Sequence, residues 1–135
     1  MSKGYGGVAR MVTQDETTII YEYYVYDLNE EFHHYPQAIF DGLITIDKHS
    51  FVEPELHKKL KKMPNGKKKE ITKRIHRTID YGALISANAI QVENSRYCWC
   101  ITEDGIGLGA MCLLRKIYDA YQESGIILET AEFMI

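Results

Sequence analysis

The chain opens on two runs of β-branched and aromatic residues, GVARMVT and TTIIYEYYVYDL, separated by the polar QDET. Such runs on either side of a turn-like tetrapeptide read as a β-hairpin over the first 28 residues. With the turn centred on Asp15 and Glu16, Val8, Arg10 and Val12 oppose Tyr23, Tyr21 and Ile19 on one face. Ala9 and Met11 then share the other face with Ile20, Glu22 and Tyr24. Both faces carry apolar and aromatic groups, as in a strand whose sheet is covered on both sides or bound by a partner. The segment NEEFHHYPQAIFD has a proline and little periodicity and reads as a loop, and GLITID reads as a third short strand.

The period then changes. In EPELHKKLKKM, Leu56, Leu60 and Met63 recur at spacings of four and three, with Pro54 in the first turn, so a helix is predicted there. Pro64-Asn65-Gly66 stops it. A second helix is predicted over KKEITKRIHRTID, with Ile71, Ile75 and Ile79 as its stripe. ALISANAIQV fits a short helix or a strand, RYCWCIT alternates as a strand, and TEDG is a turn. LGAMCLLRKIYDAYQES is the strongest helical pattern, ended by Gly125, and IILETAEFMI is expected to begin as a strand. The sum is a single α+β domain over 1–135, an antiparallel sheet with helices packed on at least one face.

At 135 residues and 45% hydrophobic, the chain fits one globular domain. MSKGYGG has no apolar run behind it, which argues against an ordinary secretory signal, and no apolar run nears the roughly 20 residues that span a bilayer. Three cysteines do not make a disulfide framework, so reduced thiols and a cytoplasmic location are expected.

Charge changes the picture most. The formal net charge is -3, yet residues 57–77 hold ten basic side chains against one glutamate, leaving six basic and eighteen acidic elsewhere. On the predicted helices, Lys58, Lys59, Lys61 and Lys62, then Lys69, Lys73, Arg74 and Arg77, lie away from the apolar stripes. They form either a solvated face or a polyanion-binding surface. The start of the second helix, Lys67-Lys68-Lys69-Glu70, suits phosphates better than base edges. A nucleic-acid-associated regulator working through helices over 54–79 is therefore one reading. The -12 on the remaining chain opposes it unless that charge faces away.

Other chemistry is sparse. Gly105, Gly107 and Ala110 match G-x-G-x-x-A, but Glu103 and Asp104 stand beside them and only about 30 residues follow, too few for a dinucleotide fold. A tight turn and close helix packing explain these glycines better. Cys98 and Cys100 with Cys112 lack the spacing of a structural zinc site and read as small buried hydrophobes. His33 and His34 beside Glu30 and Glu31 could form a metal or acid–base cluster, the basis of a third reading as a small enzyme. Neither a cofactor nor a catalytic residue is expected.

Tyr21, Tyr23, Tyr24 and Tyr26 crowd one strand, with Glu22 and Asp27 among them and Asp15, Glu16, Glu30 and Glu31 at its ends. Tyrosine is enriched in binding surfaces, although alternation must turn about half of these rings inward. The small size, the segment YEYYVYDLNEE, the acidic balance outside 57–77 and the empty motif list resemble those of the immunity proteins of bacterial toxin systems. That resemblance implies a cytoplasmic, non-enzymatic inhibitor that binds one toxin domain. Asp15, Glu16, Tyr21, Tyr23, Tyr24, Tyr26, Glu30 and Glu31 would be its contact surface.

Overall fold

The opening hairpin forms as strands β1 (Tyr5–Gln14) and β2 (Thr18–Asp27), in a register that differs from the expected one. The structure, a computed structural model, describes residues 4–27, 39–95 and 100–134. Ala9 pairs with Tyr23, Arg10 with Glu22 and Met11 with Tyr21, and an irregularity between Met11 and Thr13 precedes the pairing of Gln14 with Ile19. The cause is local. The Asp15 carboxylate accepts the backbone N–H groups of Thr17 and Thr18, both at 2.8 Å, which moves the turn onto Glu16 and Thr17. That turn alone moves the pairing by an even step, which keeps the faces, and the extra residue between Met11 and Thr13 adds the odd step that exchanges them. Ala9 and Met11 therefore sit beside Tyr21 and Tyr23, while Val8 and Arg10 sit beside Tyr24 and Glu22.

β3 (Gly42–Asp47) forms as predicted and pairs with β2. ALISANAIQV supplies both of its candidate elements, helix α1 (Tyr81–Ser86) and strand β6 (Ile90–Glu93). Helix α2 (Leu108–Ser124) coincides with its predicted segment and ends at Gly125, whose φ of 72° is left-handed and whose N–H bonds to the Tyr121 carbonyl. The last strand, β7 (Thr130–Met134), takes the second half of IILETAEFMI, so the expected strand start at Ile126 is four residues early. The order is β6-β3-β2-β1-β7 with every neighbouring pair antiparallel, which makes the α+β architecture plain.

One face of this sheet is the core. Ile19, Tyr21, Tyr23 and Val25 alternate inward from β2 and are buried, as are Ile44 and Ile46 from β3. Leu113, Leu114, Ile117 and Tyr118 of α2 cover them, and Leu84 and Ile85 of α1 pack at the margin. A Cβ on Gly109 would lie 2.4 Å from a Val25 methyl, so this glycine lets the helix sit directly on β2. Gly105 turns at φ 83° and Gly107 precedes the first turn of α2, in keeping with the structural reading of these glycines.

The two helices predicted over the basic segment are absent. Residues 55–75 form β4 (Glu55–Lys62) and β5 (Lys68–Ile75), a separate two-stranded antiparallel ribbon exposed along its whole length. Pro64-Asn65-Gly66 is its turn: Gly66 has φ 81°, and the Met63 N–H bonds to the Lys67 carbonyl at 2.7 Å. An Asn-Gly pair whose glycine takes positive φ is a hairpin signal, and Ile71, Thr72 and Ile75 favour extended backbone. Within the two strands the apolar spacing that suggested helices buries nothing, since Leu56, Leu60, Ile71 and Ile75 are all exposed. Ile79, beyond the ribbon, is the member of those stripes that packs on the core.

Candidate functional site

Among the described residues the second face of the main sheet carries no helix, because α1 and α2 both pack on the core side. Its centre is aromatic. The Tyr24 ring meets Phe40 edge-on with centroids 4.9 Å apart, and lies 5.8 Å from the Tyr26 ring. The Arg10 guanidinium stands 3.8 Å over the Phe40 ring and also pairs with Glu22 across the β1–β2 ladder. Tyr26 lies flat across Gly6, where a Cβ would come within 2.4 Å of its ring. Burial, Tyr24 and Glu132 together raise the Tyr26 phenol above its ordinary range. Leu43 is 38% exposed and Met134 67% exposed at either side of this cluster. Glu93 pairs with Leu43, and Glu132 with Val8, so carboxylates border the aromatic centre.

The expected contact residues separate by face. Tyr24 and Tyr26 lie here, whereas Tyr21 and Tyr23 are fully buried and unavailable to a partner. Tyr21 donates to the Leu128 carbonyl at 2.5 Å, and its burial pushes its phenol up to about 12. Tyr23 accepts the Ser95 N–H at 3.0 Å. Asp15 is exposed but serves the turn, and those backbone bonds hold its carboxyl below the usual range. Glu16 is exposed at the same turn. Glu30, Glu31, His33, His34 and Cys98 lie outside the described residues. Glu22, one of the carboxylates noted among the tyrosines, lies on this surface, and Arg10, Phe40 and Leu43 join it without having been expected there. The correct hairpin register would have placed Arg10 beside Glu22.

The ribbon is the second surface. Each of its faces presents four cations and one carboxylate: Lys59, Lys61, Lys69 and Lys73 with Glu55, and Lys58, Lys62, Lys68 and Arg74 with Glu70. Lys61 stands opposite Lys69 and Lys62 opposite Lys68. Such like-charge pairs weaken a ribbon, and among the described residues Lys58–Glu70 at 3.8 Å is the one lysine–carboxylate pair in it. The root, by contrast, is fixed. Gln122, fully buried on α2, accepts the Arg77 N–H at 2.5 Å and donates to the Arg77 carbonyl at 2.9 Å. On the other stem Phe51 packs on Tyr118 and Tyr121 at 4.8 and 4.9 Å, Pro54 is buried, and Tyr121 donates to Glu53 at 2.7 Å.

Between α2 and β7 runs a groove of about 390 Å³ lined by Lys116, Asp119, Glu123 and Glu132 with Leu128 and Thr130. Among the described residues no cluster of three or more His, Cys, Asp or Glu side chains could hold a metal ion. Cys112 is partly buried, which pushes its thiol up, and Cys100 is exposed. Among the described residues no helix is long and apolar enough to cross a membrane. Compared with known proteins, the chain matches no family model, no curated protein and no solved structure.

Proposed function

We propose that the protein is a binding domain whose protein partner docks on the face of the main sheet opposite α1 and α2. We further propose, following the resemblance to immunity proteins, that the partner is a toxin domain held inactive in the complex. The observation that carries this reading is the aromatic cluster of Tyr24, Tyr26 and Phe40. It is held in place by Arg10 and Glu22 and flanked by the exposed Leu43 and Met134. Pre-ordered aromatic rings supply contact area at little entropy cost, and a carboxylate border steers a basic partner into register. The groups that position this cluster are spent on ordering a surface, and none of them is arranged as a nucleophile with a base.

The test is affinity capture from native cells, then binding of the purified partner to wild type, Leu43→Arg and Tyr24→Ala. Both variants should weaken binding at least tenfold, and co-expression of wild type should restore growth to cells producing the partner. Leu43→Arg should keep the wild-type melting temperature, because that side chain already meets solvent. Equal affinity in Leu43→Arg moves the interface off this face, and a partner without toxicity removes the immunity role.

A further inference from the structure

We propose that the β4–β5 ribbon is a second binding element, an arm that enters the major groove of double-stranded DNA. Shape is the first argument. The major groove, about 12 Å wide, admits a two-stranded antiparallel ribbon, whereas the deep, narrow groove of A-form RNA excludes side chains. Eight residues per strand at about 3.3 Å each give an arm roughly 26 Å long, and every residue of both strands is exposed.

Charge is the second. A ribbon inside a groove has a phosphate wall on either side, and this one carries four cations on each face. The facing lysine pairs at its far end, costly in water, become favourable between two rows of phosphates. An arm that simply decorated a solvated surface would gain nothing from Lys61 opposite Lys69 and Lys62 opposite Lys68.

The acidic remainder of the chain does not oppose this. Lys61 lies six residues along β4, roughly 20 Å from the root, while charges in physiological salt are screened beyond about 8 Å. The far half of the arm is thus electrically separate from the body, and the Gln122 clamp and the Phe51 stack hold it out from α2. Contacts of this kind neutralise phosphates and carry little base readout, so the binding is sequence-tolerant.

Fluorescence anisotropy of the full chain with a labelled mixed-sequence 20-bp DNA duplex tests the arm. The same-length single-stranded DNA and double-stranded RNA, and vesicles containing phosphatidylserine, serve as comparators. The expected result is duplex DNA affinity that falls about 10³-fold between 50 and 200 mM salt if some six phosphates are contacted. RNA and single strands should bind at least tenfold more weakly. A variant with Lys61, Lys62, Lys68 and Lys69 all changed to Gln should lose most of the affinity and flatten the logarithmic salt slope by about 3–4. It should melt no lower than wild type, since it relieves repulsion in an exposed element. The proposal is overturned by no duplex binding at 50 mM salt, by an unchanged slope in the variant, by RNA or single strands binding equally well, or by vesicles binding in preference to DNA.

Discussion

Three glycines of the sheet, Gly6, Gly7 and Gly42, each stand directly across a strand pair from an aromatic residue: Tyr26, Phe133 and Tyr23. In each case a Cβ would lie within 2.6 Å of the partner's ring, so the ring occupies the space the side chain would need. Gly42→Ala should therefore displace the buried Tyr23 ring and cost about 1–3 kcal/mol, read as a lower urea midpoint with an unchanged m-value. A wild-type midpoint would mean that the ring has another place to go. Gln122 is a comparable point at the arm's root. Gln122→Leu keeps the volume but leaves the Arg77 N–H and carbonyl without their buried partner, for a loss of about 1–3 kcal/mol and faster hydrogen exchange at Arg77. The sign of the pH response follows from Tyr21. Its folded-state value is raised from 10.0 to about 12 by burial, so between these values the unfolded chain ionises and the folded one does not. Stability is full below pH 10 and should fall as pH rises to 12, by about 1.4 kcal/mol per unit from this group. Tyr21→Phe should shallow that alkaline slope in urea titrations, and an identical slope would place the ionising group elsewhere.

At the scale of elements, the clearest signals in the sequence are those whose local pattern and tertiary setting agree. Helix α2 has an apolar stripe that does meet a sheet and a glycine that does adopt left-handed backbone, so its bounds are readable. The first hairpin is readable as an element but not in register, because both faces of β2 carry aliphatic and aromatic residues, Ile19, Tyr21, Tyr23 and Val25 on one and Ile20, Tyr24 and Tyr26 on the other, and either could have turned inward. The deciding feature is the irregularity between Met11 and Thr13, one extra residue in β1 that brings Ala9 and Met11 beside Tyr23 and Tyr21. The ribbon misleads for the opposite reason. Leu56, Leu60, Ile71 and Ile75 imitate a helical stripe, yet they belong to an element with no core to face, and the informative residues are Asn65 and Gly66. Gly66→Ala consequently has a distinct expected signature. Its positive φ disfavours any side chain, so trypsin should cut the basic segment faster while the melting temperature stays within a few degrees. A large drop in melting temperature would show that the ribbon is coupled to the core after all.

For the whole molecule, the division is between an acidic body with an aromatic sheet face and a basic arm carried on two stems. A bulk net charge of -3 conceals this division, whereas counting charge along the chain reveals it. The sheet face itself cannot be read that way, because Phe40 and Arg10 are thirty residues apart and meet only once β1, β2 and β3 are in register. The two surfaces also lie on different scaffolds: the sheet holds one, and the far half of α2 with its flanking stems holds the other. They should be separable by a single change of connectivity. His57 pairs with Lys73, so replacing residues 58–72 with Asn-Gly keeps the anchored root and closes it with a two-residue hairpin turn. Since every deleted residue of the two strands is exposed, the shortened chain should unfold cooperatively with a melting temperature within a few degrees of wild type. It should bind its protein partner with wild-type affinity while losing affinity for duplex DNA. Leu43→Arg should show the reverse pattern. If the shortened chain loses its protein partner, the arm belongs to that interface and the body and arm act as one surface.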